Sequence, residues 1–137
     1  MKFVVVANVA IKWYVDHADS PAAIKIADSD AELLAPDLIY AEVANALWKY
    51  VRAKQINLAD ASDALRALPT RFDAIVGIDS LADDALQIAN ELDHPVYDCF
   101  YLALAQQEKA PLVTADKRLA AAAQSLPDVE AKLIAAA

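Results

Sequence analysis

The sequence is poor in the residues that form flexible loops and cross-links. Its 137 residues include one glycine, Gly77, and one cysteine, Cys99. A single glycine argues against a glycine-rich phosphate-binding loop and against a disordered linker. A single cysteine excludes an internal disulfide and fits a reducing compartment. We therefore expect one domain spanning residues 1–137 and a cytoplasmic location.

Long apolar runs and positive charge are also scarce. No stretch reaches the ~18 apolar residues that a membrane helix needs, so no membrane contact is expected. The apolar run at residues 2–6 is too short for a secretory signal. The net charge of -8 disfavours a nucleic-acid partner when taken alone, because phosphate contacts need basic patches. Acid clusters that hold a divalent metal produce the same bias, so the charge leaves both possibilities open.

Strand-like and helix-like patterns alternate along the chain. The run at residues 2–6 is apolar and β-branched without alternation, which is typical of a central parallel strand buried on both faces. The other strand-like segments are residues 32–35, 72–78, 112–114 and 131–135. Helical patterns separate them, and this alternation predicts an α/β fold with a parallel sheet.

Polar residues that favour helix N-termini mark where most of the helices should begin. The predicted cap residues are Asn8, Ser20 followed by Pro21, Asp37, either Asp79 or Ser80, and Asp116. A further helix should start at Asn57 or Leu58. The helix after Asp37 should run to about Lys54, and the helix after Asp116 should cover residues 117–123.

Three acids stand out as candidate site residues. Glu42 lies on a largely apolar helix, where a carboxylate is costly to bury unless it is paired or metal-bound; the alternative is a narrow exposed strip shared with Lys49. Asp98 falls in the first turn of a helix, where simple complementation of the helix dipole is an equal alternative. Asp116 directly follows the strand Leu112 to Thr114, and capping the next helix is the simpler explanation for it alone.

Taken together, these acids predict hard oxygen ligands at the carboxyl edge of the sheet, where α/β proteins place their ligand crevice. Carboxylates suit Mg²⁺ or Mn²⁺, which polarise a phosphoryl oxygen and generate hydroxide for attack. His17 and His94 have no partner at metal-ligand spacing, so a zinc site is not expected. No serine or cysteine motif supports nucleophilic catalysis.

Positively charged residues cluster at two places in the sequence. Lys49, Arg52 and Lys54 form one basic spot, and residues 117–118 form the other; solvated helix ends are favoured over phosphate contacts for both.

The sequence also contains four large aromatic residues near two of its helices. The aromatic residues exceed what the core of a chain this size obviously needs, and Trp and Tyr are enriched in interfaces, so we expect a homodimer. They are Trp13, Tyr14, Trp48 and Tyr50.

Four ordered blocks of the sequence resemble the PIN domain, specifically the VapC toxins of type II toxin–antitoxin systems. They are KFVVVANVAIKW at residues 2–13, APDL with EVANALW between residues 35 and 48, PVYDCFYLALA at residues 95–105 and PLVTAD at residues 111–116. The resemblance implies a three-layer α/β/α fold with a central parallel sheet. It also implies Mg²⁺- or Mn²⁺-dependent endoribonuclease activity, with a VapB-type antitoxin and a second copy of the chain as partners.

The resemblance also implies roles for individual residues. Glu42, Asp98 and Asp116 would be the catalytic, metal-binding acids, and Asn8 and Thr114 would be polar supports.

The first acid of the family falls where this chain has Val6, which offers no ligand. We therefore expect impaired activity, with a non-catalytic module that binds antitoxin or RNA without cleavage as the alternative.

Overall fold

A five-stranded parallel sheet runs through the computed structural model, which describes residues 1–134. The strands are β1 (Lys2–Val5), β2 (Glu32–Pro36), β3 (Ala74–Val76), β4 (Leu112–Thr114) and β5 (Ala131–Leu133), in the order β3-β2-β1-β4-β5. The helices are α1 (Ala7–Ala10), α2 (Ser20–Ala27), α3 (Leu38–Arg52), α4 (Leu58–Ala67), α5 (Ala82–Leu92), α6 (Val96–Glu108) and α7 (Lys117–Ala123). Short 3-10 turns cover Ile11–Trp13, Leu68–Arg71 and Ile78–Ser80.

The central strand β1 explains the unbroken apolar run at the start of the sequence. It pairs in parallel with β2 on one side and β4 on the other. Val4 and Val5 point to opposite faces of the sheet, and both are fully buried. A strand covered on both faces needs apolar residues at every position, as the sequence predicted.

Helices cover both faces of the sheet and make the three-layer α/β/α arrangement. Val4 packs into a core with residues of α5, α6 and α7. Phe3 and Val5 face the other side and pack with Ala23 and Ile26 of α2. A third cluster joins α1, α3 and α4. The predicted fold class is therefore confirmed.

Two predicted helix caps near the N-terminus are wrong. Asn8 lies inside α1, and the N-cap position belongs to Val6, whose side chain makes no capping hydrogen bond. Ser20 is already part of α2, and its hydroxyl donates to the Val15 carbonyl at 2.9 Å rather than capping the helix. In both cases a contact outside the helix engages the polar side chain.

Of the predicted helix starts later in the chain, some are capped by their own side chain and others are not. The helix α4 starts at Leu58, one of the two predicted starts, and the Asn57 side chain caps it by accepting from the Asp60 N–H at 2.7 Å. Asp37 stands at the N-cap of α3, but its carboxylate accepts from the Ile78 N–H at 3.0 Å. The prediction of Asp79 or Ser80 as a cap is wrong, because both lie in a 3-10 turn and α5 begins at Ala82.

Element ends differ from the predictions by a few residues. The helix α3 ends at Arg52, and Lys54 already has a left-handed backbone with φ of 60°. The strand β3 covers only Ala74–Val76 of the predicted segment. The last strand was predicted for residues 131–135; β5 ends at Leu133, and Ala135 lies outside the described residues.

Most of the large aromatic residues pack inside the protein. The Trp13 ring stands 6.3 Å from Tyr14 and 5.6 Å from Phe72, and its indole N–H donates to the Ala23 carbonyl. Tyr50 also packs against the core beside α4. Trp48 is 53% exposed. Among these four residues, Trp48 therefore offers the largest exposed aromatic surface for a homodimer contact.

Among the helices of residues 1–134, none combines the length and apolar character that crossing a bilayer requires.

Candidate active site

The carboxyl ends of the neighbouring strands β1 and β4 form the edge at which the candidate site lies. Val6 follows β1 and starts α1, while Asp116 follows β4 and starts α7. The Val6 N–H donates to the Val113 carbonyl at 3.1 Å, which ties the two strand ends together. This is the edge at which parallel α/β sheets bind ligands.

Glu42 reaches this edge from α3 and meets Tyr101 of α6. The Tyr101 hydroxyl donates to Glu42 Oε1 at 2.6 Å, although 59 residues separate them in the chain. Tyr101 is fully buried, and Glu42 is half-buried. A hydroxyl inside the core needs a partner, because leaving it unpaired costs about 1–3 kcal/mol. The hydrogen bond satisfies Tyr101 and at the same time orients the carboxylate.

The electrostatics of this pair follow from burial. Burial raises the pKa of Glu42, the hydrogen bond from Tyr101 lowers it, and the nearby charge of Asp98 raises it. Burial also raises the pKa of Tyr101, and the charge of Glu42 adds to the rise. Tyr101 therefore stays protonated and acts as a donor to Glu42.

Asp98 occupies the first turn of α6, as predicted, and is held by a histidine. His94 Nε2 lies 2.7 Å from Asp98 Oδ2, with the two side chains 10% and 29% exposed. Asp98 is close enough to Glu42 to influence its pKa, so these two acids share one neighbourhood. His94 thus pairs with a carboxylate four residues later, at the start of α6; this contact is a hydrogen bond and does not make a zinc site.

Asp116 lies at the same sheet edge but is engaged locally. Its Oδ1 accepts from the Arg118 N–H at 2.9 Å, which makes it the side-chain cap of α7. Asp116 therefore caps α7, which was the simpler of the two roles that the sequence indicated for it. A further role as a metal ligand stays a prediction.

Asn8 and Thr114 tie the start of α1 to the turn that carries Asp116. Asn8 Nδ2 donates to Thr114 Oγ1 at 3.2 Å, and Asn8 Oδ1 accepts from the Ala115 N–H at 2.9 Å. Thr114 Oγ1 accepts from the Asp116 N–H at 3.1 Å. Thr114 is fully buried, so the network satisfies a polar group inside the core. The two side chains hold the turn between β4 and α7 in place.

Val6 stands at the N-cap position of α1. It has an extended backbone with φ of -78° and ψ of 152°, which is the geometry of an N-cap, and an aspartate there would accept from the first-turn N–H groups of α1. Its side chain is 4% exposed and packs in the same cluster as Tyr101. Valine fits the burial, but it supplies neither a cap nor a ligand.

The donor set fits a hydrated Mg²⁺ ion only in part. Within the described 134 residues, no three side chains among His, Cys, Asp and Glu are grouped closely enough to hold a metal ion. Glu42, Asp98 and Asp116 each have a separate partner, so they do not form one ready cluster. Mg²⁺ usually keeps several waters and takes one or two carboxylates plus substrate phosphates, which the pair Glu42 and Asp98 can supply.

A cavity of about 390 Å³ opens beside Glu42. Its polar lining comes from α1, α3 and the turn Ile11–Trp13: Asn8, Lys12, Glu42, Asn45, Lys49 and Tyr50. Asp98 and Asp116 are not among the residues that line it. Glu42 is therefore the predicted acid with direct access to this space.

Sequence reasoning missed Tyr101 and His94 as site residues. Tyr101 is a phenol on a helix whose neighbouring positions, Leu102 to Ala105, are buried and apolar. A polar group in such a run signals a buried partner elsewhere in the chain. His94 stands four residues before Asp98, the spacing of a side-chain pair on a helix.

Comparison with known proteins identifies sequence relatives over nearly the whole chain. The PIN domain family matches residues 3–124. "Ribonuclease VapC3" of Pyrobaculum aerophilum is 36% identical over 123 residues, covering 88% of this chain and 93% of the relative. "Exonuclease VapC9" of the same organism is 33% identical over 93 residues, covering 68% of each chain. "Ribonuclease VapC1" of Mycobacterium tuberculosis is 39% identical over 90 residues, covering 64% of this chain and 65% of the relative.

Solved structures share the fold at lower sequence identity. PAE2754 from Pyrobaculum aerophilum superposes with a TM-score of 0.70 at 23% identity, covering 96% of this chain and 83% of that chain. A toxin–antitoxin complex from Klebsiella pneumoniae gives 0.69 at 19% identity, covering 93% of this chain and 95% of that chain. These likenesses establish the three-layer architecture.

Replacing Tyr101 by phenylalanine should destabilise the protein by about 1–3 kcal/mol, because Glu42 loses its donor in a half-buried position. Urea unfolding at pH 7 in the presence of a chelator measures this change. Tyr97→Phe is the matched control, since Tyr97 lies in the same helix and is 63% exposed. Equal unfolding midpoints for the two variants would contradict the assigned role of the Tyr101 hydroxyl.

Replacing Glu42 by glutamine should change how stability depends on pH. The folded-state pKa of Glu42 is raised above 4.5, so the folded protein binds more protons than the unfolded chain above this value. Stability contributed by the native Glu42 is therefore retained below pH 4.5 and falls as the pH rises through the raised pKa.

Glutamine removes this titration while keeping an acceptor for Tyr101. The stability of Glu42→Gln relative to the native chain should grow between about pH 4 and pH 7 in metal-free buffer. Glu91→Gln, on the exposed face of α5, controls for loss of a surface carboxylate. Parallel stability curves for Glu42→Gln and the native chain would exclude the raised pKa.

Proposed function

The chain belongs to the PIN-domain family, and on that premise we propose that it is a VapC-type toxin built as a metal-dependent ribonuclease. The observation that carries this proposal is the hydrogen bond at 2.6 Å that joins Glu42 of α3 to Tyr101 of α6, the helix whose first turn carries Asp98. The relatives named as VapC ribonucleases support the substrate class, which is RNA. Because Val6 supplies no ligand, we propose that cleavage by this chain is impaired.

The residues of the site have separable tasks. Glu42 and Asp98 supply the negative charge that attracts a divalent cation to the sheet edge. Tyr101 and His94 restrict the orientations of these carboxylates, as hydrogen-bonded partners of metal ligands commonly do. Asn8 fixes the turn that brings Asp116 to the same edge.

The proposed cofactor is Mg²⁺, with Mn²⁺ as the alternative. When bound, such an ion polarises a phosphoryl oxygen and lowers the pKa of a bound water. Glu42, Asp98 and, by family resemblance, Asp116 are the residues that would hold it. With two neighbouring acids and no acid at position 6, affinity should depend strongly on oxygens supplied by the RNA phosphate.

A non-catalytic role is the second candidate. Two observations favour it: valine at position 6, and the lack of a group of three ligand-type side chains among residues 1–134. In this reading the chain binds RNA or an antitoxin without cutting RNA. The cleavage experiment described below separates the two functions.

We also propose a VapB-type antitoxin and a second copy of the chain as partners. The structural neighbour described as a toxin–antitoxin complex supports the first. An apolar groove between α3 and α4 supports partner binding in general, since Trp48 and Leu58 at its rim are 53% and 72% exposed. Exposed apolar grooves of this kind are common at protein interfaces.

Val6→Asp should restore metal-dependent RNA cleavage. Loss of an outer partner of a metal ligand typically costs ~10–100-fold in metal affinity or activity, so return of a direct carboxylate ligand should regain at least that. Mg²⁺ titration calorimetry and RNA cleavage with and without Mg²⁺ measure the two effects. Val6→Asn is the matched control, because it has nearly the same shape as aspartate and no charge.

The metal-free Val6→Asp protein should be less stable than the native chain. A cap on α1 contributes about 1 kcal/mol, but burial of a charge at this 4% exposed position costs more. Thermal melts should therefore give a larger Mg²⁺-induced shift for Val6→Asp than for the native chain. A variant that binds Mg²⁺ no better and leaves RNA intact would move the non-catalytic function to first place.

The chain should form a homodimer in solution. The mass from light scattering at tens of micromolar should be twice the 14.7 kDa of one chain. Trp48→Ala should lower this mass if the exposed indole lies in the interface, with Trp13→Phe controlling for loss of a packed indole. A monomer mass for the native chain would exclude the dimer.

A further inference from the structure

A polar strip on α3 leads away from the acid pair and has no role in the function proposed above. Glu42, Asn45 and Lys49 are three and four residues apart on this helix, so their side chains lie on one face. All three line the cavity of about 390 Å³. The strip connects a candidate metal-binding carboxylate to an ammonium group within one cavity.

The two lysines of this cavity differ in how their charges are neutralised. Lys12 Nζ lies 3.2 Å from Asp19 Oδ2, and these side chains are 12% and 17% exposed. Lys49 is exposed and takes part in none of the ion pairs formed within the described part of the chain. Lys49 therefore presents an uncompensated positive charge to the cavity.

The net negative charge of the chain makes a positive charge at this cavity significant for the binding of RNA. A strand of RNA approaching a protein of net charge -8, and approaching Glu42 and Asp98 in particular, meets electrostatic repulsion. A cation at the cavity offsets this repulsion where the strand must enter. The helical rise of 1.5 Å per residue places Lys49 about 10 Å from Glu42 along the axis. This separation allows the two ends of the strip to contact different phosphates of one strand.

We propose that Asn45 and Lys49 form a backbone-binding subsite for single-stranded RNA. Lys49 contacts a phosphate next to the one at Glu42, and Asn45 hydrogen-bonds the sugar-phosphate between them. This subsite rests on the proposed ribonuclease function and names the residues that position its substrate. RNA is favoured over an acidic peptide because the strip ends at the carboxylate proposed to act on a phosphodiester, so one strand occupies both.

The native chain allows RNA binding to be measured without cleavage. A short fluorescein-labelled single-stranded RNA of mixed sequence is titrated in EDTA, by anisotropy, between about 50 and 200 mM salt. Each phosphate contact to single-stranded nucleic acid contributes about -0.7 to the slope of log affinity against log salt. Lys49→Ala should reduce the steepness by about 0.7 and weaken binding about 5-fold at 100 mM salt. Lys49→Arg should retain both values.

Two further variants separate the subsite from general charge. Asn45→Ala should weaken binding without changing the salt slope, because a neutral hydrogen bond releases no counterion. Lys2→Ala is the matched control: it removes the same charge, but Lys2 starts β1 at the opposite edge of the sheet and forms only an exposed pair with Glu108. Lys2→Ala should bind RNA as the native chain does.

The outcomes distinguish this inference from the proposed function. If Lys49→Ala has the same salt slope as Lys2→Ala, or if polyglutamate displaces the RNA as well as unlabelled RNA does, the subsite is overturned. Cleavage by Val6→Asp with a KM unchanged by added Lys49→Ala would overturn the subsite and leave the function intact. Absence of RNA binding by both the native chain and Val6→Asp would overturn both.

Discussion

The hydroxyl of Tyr101 imposes a constraint on which the candidate site depends. The ring is fully buried on α6, so its polar atom must be satisfied inside the core. Glu42 of α3 provides the acceptor at 2.6 Å. This one hydrogen bond joins two helices across the carboxyl edge of the sheet and determines where a carboxylate points. A displacement of the Tyr101 hydroxyl would therefore change the hydrogen bond that orients Glu42.

The other acids follow the same principle of local satisfaction. Asp98 is held by His94, and Asp116 is held by the first turn of α7. Carboxylates at one sheet edge repel one another, and separate partners allow them to remain near each other in the folded chain. Position 6 adds no charge repulsion, because Val6 is apolar and packs into the core cluster that contains Tyr101.

The distribution of charge complements this arrangement. The proposed action of this acidic chain on RNA requires positive charge close to its acids, and α3 carries Glu42 and Lys49 on one face. The same helix turns Trp48 toward solvent, with Arg52 5.2 Å from the ring centre. One helix therefore borders both the proposed substrate cavity and the apolar groove proposed for a partner.

Local patterns in the sequence determined the fold class and most of its elements. The apolar run of β1, the strand Leu112–Thr114 and the caps Asn57 and Asp116 depend on neighbouring residues, which the sequence displays directly. The sequence also shows directly that position 6 carries valine and not an acid. Only the tertiary structure decided the contacts of the polar side chains that reach beyond their own helix. Asn8 reaches Thr114 across 106 residues, and Asp37 reaches Ile78 across 41, instead of capping their own helices. Tyr101 meets Glu42 for the same reason: packing of the layers brings distant polar groups together, and a buried group bonds to whichever partner lies closest in space.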